Sequence, residues 1–325
     1  MRLCCVEWAI PLLMFALAWN AELASAQDAL AQDAPGKDAL AQSAVASDFA
    51  GSVDIGNGRK LYLECRGAGA TTVVLESGLR TRGDNWSRAD LLPHGGEPVM
   101  QQVAKFARVC TYDRPGTTLN AGELSRSEAA PMPRTAVNVT RDLHMLLRAA
   151  NVPGPFVLVG HSFGGLFVRL YALMYPEEVN GLVLVDALAE QIKPLFSAGD
   201  WATFLALNSG PLPGFEDYTA LENIDFDMSF QQIERELTNP NNPPPKKIPV
   251  AILVRGLPVK LPSSAPARFG GVLETAWRKS EDQMAVVVPH VEIVIARKSG
   301  HYIQLDEPGL VVDSIRKVVR LTSFR

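Results

Sequence analysis

The sequence predicts an α/β protein built on a mainly parallel sheet with helices on both faces. Three observations carry that expectation. Short runs rich in Val, Ile and Leu alternate with helical stretches, the pattern of strands buried on both sides. One of those runs ends in a Gly-x-Ser-x-Gly turn that opens a helix. The 325 residues, 47% hydrophobic and 20% charged, supply enough apolar material for a large core and exclude a chain disordered over most of its length. The 25 Gly and 23 Pro are spread without a period, which excludes collagen-like structure. A net charge of −4 offers no electrostatic basis for gripping a polyanion, so no nucleic-acid partner is expected.

The first 47 residues stand apart from that rhythm. Arg2 precedes an apolar run over 8–19, and Ala24-Ser25-Ala26 follows with the small-x-small spacing of a cleavage site. Together they read as a secretory signal peptide over 1–26, cut after Ala26, which predicts a secreted or periplasmic protein. An uncleaved anchor is the alternative, although the run falls short of the roughly 20 residues a spanning helix needs. Residues 27–47 repeat Asp-Ala-Leu-Ala-Gln at 28–32 and 38–42 without an aromatic residue, and read as a flexible tether.

Residues 48–322 read as one domain. Strands are expected over 49–55 and 59–66, joined by Gly56-Asn57-Gly58, because Asn-Gly tolerates the positive φ of a tight hairpin. Further strands are expected over 71–75, 107–112, 156–159, 181–185, 248–254 and 291–295, eight in all. Helices are expected over 135–150, 166–175, near 272–286 and over 308–319. The segment 189–247 breaks the alternation. It carries Trp201, Phe204, Phe215, Tyr218, Phe226 and Phe230 and ends in a proline-rich stretch, and reads as a helical lid inserted over the carboxyl edge of the sheet.

Gly160-His161-Ser162-Phe163-Gly164-Gly165 lies between an apolar strand and a helix. A serine on such a sharp strand-to-helix turn exposes its hydroxyl, and the helix N-terminus favours negative charge developing beside it. A serine hydroxyl needs a base to become nucleophilic. Among five histidines, His301 follows the last strand and falls at the same sheet edge as Ser162. His161 is expected to pack, His94 and His144 to lie on a loop and a helix surface, and His290 to face the opposite edge. Asp186 ends the strand over 181–185 and is the candidate to orient the histidine; its alternative is a helix cap or loop anchor. Asp306, just before Pro308, reads as a helix N-cap. No metal cluster or phosphate-cradling loop is visible, so no metal and no cofactor are expected.

These residues resemble the α/β-hydrolase superfamily of the serine-esterase type over roughly 48–322. The resemblance rests on Val73-Val74-Leu75-Glu76-Ser77-Gly78-Leu79 with Trp86, Tyr112-Asp113-Arg114-Pro115-Gly116, the Ser162 turn, Leu182-Val183-Leu184-Val185-Asp186, and Gly300-His301-Tyr302. It implies Ser162 as nucleophile, His301 as base, and the backbone N–H groups of Leu79 and Phe163 as oxyanion donors. Two departures stand out. Ser77-Gly78 occupies the place of a common His-Gly, and the strand over 248–254 leads into Arg255-Gly256 with no carboxylate, where many relatives carry the acid. The second departure favours Asp186, a position some relatives use. The family's strand order would also set Cys65 beside Cys110, within reach of a disulfide in an exported protein; two buried free thiols are the alternative.

Residues 189–238 hold nine acidic and two basic residues, a net −7, which favours neutral over anionic substrates. The implied activity is hydrolysis of a neutral, apolar carboxylic ester, with a small-molecule ester as the partner. The same three residues could serve amide, lactone or carbon–carbon bond hydrolysis, or peroxyacid formation. A reading of another class is a non-catalytic binding protein on the same scaffold.

Overall fold

The computed structural model describes residues 48–322 apart from 120, 121, 211, 213, 217, 241–246 and 287–290. The expected signal peptide, its cut after Ala26 and the tether over 27–47 lie outside the described residues, as does His290. Eight strands form one sheet: β1 (Phe49–Asp54), β2 (Lys60–Arg66), β3 (Thr72–Glu76), β4 (Arg108–Tyr112), β5 (Phe156–His161), β6 (Val179–Val185), β7 (Val250–Arg255) and β8 (Val291–Ala296). Their spatial order is β1-β2-β4-β3-β5-β6-β7-β8. The β1–β2 and β2–β4 pairs are antiparallel, and every other pair is parallel.

The strands form where the sequence is apolar on both faces, because helices cover both sides. Val74, Leu158, Leu184 and Ile252 point to one face. There they meet Leu143 and Leu146 of α2 (Ala136–Ala149) and Val168 and Tyr171 of α3 (Phe163–Met174). Val73, Leu75, Val159, Val185 and Leu253 point to the other, against α1 (Val99–Ala104) and α8 (Pro308–Thr322). The alternation of odd and even positions is the period-two geometry of a strand. Helix α2 starts where Thr135 and Asn138 form a reciprocal capping box, which satisfies two orphan N–H groups of its first turn.

Between β6 and β7 the chain adds α4 (Ala198–Ser209) and α5 (Phe226–Thr238). Ser197 caps the first and Asp225 the second, each accepting from a backbone N–H in the first turn. Four of the aromatic residues that mark this segment pack with α3, the helix that follows Ser162. Trp201, Phe204, Phe226 and Phe230 share a cluster with Phe163 and Phe167 of α3 and with Phe269 of α6 (Phe269–Val286). Among the described residues no helix is long and apolar enough to cross a membrane.

Asp306 departs from its expected capping role. It closes the one-turn helix α7 (Ile303–Asp306), and its carboxylate accepts from the Gly300 N–H at 3.0 Å. It therefore braces the loop that carries His301. His144 also departs: its ring stacks on Tyr175 at 3.9 Å and meets Glu178 at 3.1 Å, so that helix surface is partly covered.

Candidate active site

The end of β5 turns into α3 at a single residue. Ser162 has φ 53° and ψ −124°, a left-handed conformation that costs a non-glycine residue of order 1–3 kcal/mol. The turn holds because its neighbours fix it: the Ser162 N–H donates to Val185 O at 3.0 Å, and its carbonyl accepts from the Leu188 N–H at 2.9 Å. Gly164 is needed for close approach. A Cβ there would lie 2.6 Å from Ser77 O and 2.7 Å from Glu76 O, so α3 can seat against the end of β3 only with a bare backbone.

His301 Nε2 lies 2.9 Å from Ser162 Oγ, and His301 Nδ1 lies 2.5 Å from Asp186 Oδ2. A carboxylate only accepts, so Nδ1 carries the proton and Nε2 presents its lone pair to the serine hydroxyl. Asp186 follows β6 directly, is fully buried and has φ 43°. Its N–H donates to Leu253 O of the neighbouring strand at 2.8 Å. Burial pushes its carboxyl up, but the His301 hydrogen bond and the charges of His301 and Arg255 outweigh burial and hold it below the usual range.

Arg255 stands at the end of β7, where many relatives carry the acid. Its Nη1 donates to Asp186 Oδ2 at 2.7 Å and its Nη2 to Glu274 Oε1 at 3.0 Å. Glu281 of α6 is buried nearby. Desolvation first, then the Asp186 charge, raise its carboxyl well above the ordinary range. His161 has a structural bond as well as its packing role. Its Nε2 donates to His301 O at 2.8 Å, and burial followed by the His301 charge lowers it from 6.5 to about 3.

A cavity of about 170 Å³ opens beside Ser162 and His301. Leu79, Leu188, Phe204, Phe226, Leu273 and Trp277 give it apolar walls, with Arg255 and Asn208 as polar members. Leu79 and Phe163 both line it. Phe163 is the first residue of α3, so its N–H has no acceptor within the helix. The Leu79 N–H makes no hydrogen bond within the described chain.

The structure brings together Ser162, His301, Asp186, Leu79 and Phe163. Cys65 and Cys110 lie elsewhere, paired in register across β2 and β4 with their sulfurs bonded at 2.07 Å. The acidity of residues 189–238 reaches the cavity less than its net charge suggests. Glu190 pairs with Arg169, Asp200 with Arg268, and Glu222 with Arg114, all from outside the segment. Sequence reasoning missed Arg255, Glu281 and Arg114. A lone charged residue ending an otherwise apolar strand, as Arg255 does, is the signal that could have found the first.

Among the described residues, no group of three or more His, Cys, Asp or Glu could hold a metal ion. Residues 71–221 match the family model described as alpha/beta hydrolase fold. The CarC serine hydrolase involved in carbazole degradation superposes with a TM-score of 0.53 at 16% identity, covering 85% of this chain and 100% of that one. The chain has the α/β-hydrolase fold. Carboxylesterase CesB from Bacillus subtilis shares that fold, with a TM-score of 0.51, 14% identity and coverage of 84% and 92%. An uncharacterised protein, YqjL of Bacillus subtilis (strain 168), is 25% identical over 248 residues, 76% of this chain and 82% of its own.

Proposed function

We propose that this α/β-hydrolase-fold protein is a serine hydrolase that cleaves neutral, apolar carboxylic esters through an acyl-enzyme. The observation that carries the reading is the continuous relay Asp186–His301–Ser162, with Ser162 Oγ opening into an apolar cavity. Ser162 Oγ attacks the ester carbonyl while His301 Nε2 takes its proton, and Asp186 steadies the imidazolium. The oxyanion accepts from the N–H groups of Leu79 and Phe163. His301 then protonates the leaving alcohol, and water, activated by the same nitrogen, releases the acid. A cavity of about 170 Å³ suits an acyl group near six carbons or one aromatic ring, since ~150 Å³ of apolar space holds a benzene molecule. The carboxylesterase activity named for the CesB neighbour agrees with this class.

The protein should take a fluorophosphonate at Ser162 and hydrolyse p-nitrophenyl hexanoate, with Ser162→Ala abolishing both. A folded wild-type protein that does neither refutes the reading and favours a binding function. We further propose that the protein acts outside the cytoplasm, supported by the 1–26 pattern and by the Cys65–Cys110 bond. N-terminal sequencing of exported protein should begin at Gln27; an intact Met1 in active protein would refute cleavage there.

A further inference from the structure

The end of β3 carries an unusual concentration of buried charge. Glu76 and Glu222 are fully buried and Arg114 nearly so. Arg114 is bonded through all three guanidinium nitrogens: Nε donates to Glu222 Oε1 at 2.6 Å and Nη2 to Glu222 Oε2 at 2.9 Å. Its Nη1 donates to Glu76 Oε1 and, at 2.9 Å, to Ser77 O. Nη2 also donates to Gly78 O at 2.6 Å. That makes five hydrogen bonds for a group with five N–H donors. No lysine could make them, since its ammonium has three.

The Gly78 carbonyl and the Leu79 N–H belong to one peptide unit. Among the described residues only Met132–Pro133 and Gly154–Pro155 are cis, so this unit is trans, and its C=O and N–H point in opposite directions. Arg114 and the Thr81 N–H, the latter at 3.2 Å, both hold the carbonyl. Fixing that oxygen aims the Leu79 N–H the other way, and the cation on the carbonyl polarises the peptide and strengthens the N–H as a donor. On the far side of Leu79, the Arg80 N–H donates to Glu222 Oε2 at 2.6 Å and Arg80 Nε to Glu222 O at 3.0 Å. Glu222 therefore holds the Arg80 flank of Leu79 directly and the Gly78 flank through Arg114.

Glu222 belongs to the segment between β6 and β7, the same segment that supplies Phe204 and Phe226 to the cavity. Its own N–H donates to Gly116 O at 2.8 Å. Gly116 has φ +79°, and a Cβ there would meet Ala220 O at 2.3 Å. The inserted segment is thus docked by its backbone against the loop that carries Arg114.

Resting on the hydrolase reading above, we infer that Arg114 and Glu222 are positioning residues for the oxyanion site, and that seating Glu222 of the inserted segment is what aims the Leu79 N–H. Neither touches the reacting atoms. Loss of either lowers transition-state stabilisation while leaving the apolar cavity intact.

The test uses the full chain and the variants Arg114→Lys and Glu222→Gln, with p-nitrophenyl hexanoate as substrate. The expected result is a kcat lower by about 10²-fold for Arg114→Lys, the lower end of the range seen when an oxyanion donor is lost, and by a smaller factor of about tenfold for Glu222→Gln, which keeps one acceptor oxygen. KM should stay within about twofold, and the pH profile of kcat/KM should keep its shape. A trifluoromethyl ketone should lose affinity in step with kcat/KM, while the matching methyl ketone, a poorer mimic of the tetrahedral state, should lose far less. Should Arg114→Lys fail to fold, Glu222→Gln decides, because it keeps the shape and an acceptor oxygen. Folded variants with unchanged kcat, or with a raised KM alone, overturn the inference and leave the hydrolase reading standing. A wild-type protein inert to both ester and fluorophosphonate overturns that reading and this one together.

Discussion

His161 makes the stability of this protein depend on pH in a way that one substitution should remove. The ring is buried against Trp86, His301 and Tyr302, and its pKa falls from 6.5 to about 3. In the unfolded chain the imidazole takes up a proton near its ordinary value; in the folded chain it stays neutral until far lower pH. Between those values the unfolded state binds more protons, so stability rises with pH and is lost on acidification. Each pH unit inside the window is worth about 1.4 kcal/mol. Integrated from about pH 7.5 to about pH 4.5, the His161 contribution to the loss comes to about 2.7 kcal/mol.

His161→Gln isolates that contribution. Glutamine can still donate to His301 O from its amide nitrogen and does not titrate. Urea unfolding of both proteins at a series of pH values gives two stability curves, in which carboxylates common to both cancel. The wild type should lose about 2.7 kcal/mol more than the variant across that range. Parallel curves, or an NMR titration placing the folded His161 ring near 6.5, would refute the argument that burial holds it neutral.

Three further outcomes follow from the same geometry. The Cys65–Cys110 bond closes a separation of 45 residues, so reducing it should cost about 4 kcal/mol by loop entropy; urea midpoints that agree with and without reductant would contradict this. Gly164→Ala places a methyl group 2.6 Å from Ser77 O. The required backbone shift should cost about 2 kcal/mol and lower kcat about tenfold, because the Ser162 turn and the Ser77–Gly78 backbone move together; thermal unfolding and ester kinetics check it. Phe204→Ala should lengthen the preferred acyl chain by about two to four carbons on a p-nitrophenyl ester panel, as its ring volume joins the cavity. An unmoved optimum would show that α4 does not bound the acyl site.

The strands were legible because a sheet covered on both faces leaves apolar runs in sequence, and the parallel runs Phe156–His161, Val179–Val185 and Val250–Arg255 end at the same carboxyl edge. The candidate site was legible for the same reason. Ser162, Asp186 and His301 each stand past the end of a strand, so locating strand ends already brings them to one edge. What could not be read was pairing across distance. Arg114 and Glu222 are 108 positions apart, and nothing local in either marks the other. The acidity of residues 189–238 was legible only as a sum, because the pairing of Glu222, Glu190 and Asp200 with Arg114, Arg169 and Arg268 leaves no mark in the count. Helix α7 is a single turn and leaves no periodicity to detect.

The position of the acid has a consequence for charge at the proposed reaction centre. Strands β6 and β7 are parallel neighbours with Val185 opposite Leu253, so a carboxylate leaving either strand could approach a histidine beyond β8. Here β6 supplies Asp186, and β7 supplies Arg255 in place of a second carboxylate. Arg255 lets a fully buried Asp186 remain ionised, donating from Nη1 at 2.7 Å and from its backbone N–H at 3.3 Å. Left alone, that cation would cancel the negative charge the mechanism needs. Glu274 answers it by pairing with Nη2 at 3.0 Å, while burial and then the Asp186 charge push the Glu281 carboxyl well above its ordinary range, which disfavours a further negative charge there. Asp186, Arg255 and Glu274 then carry one net formal negative charge beside His301. Formation of the imidazolium brings the cluster to zero, so the buried site gains charge balance at the moment of proton transfer.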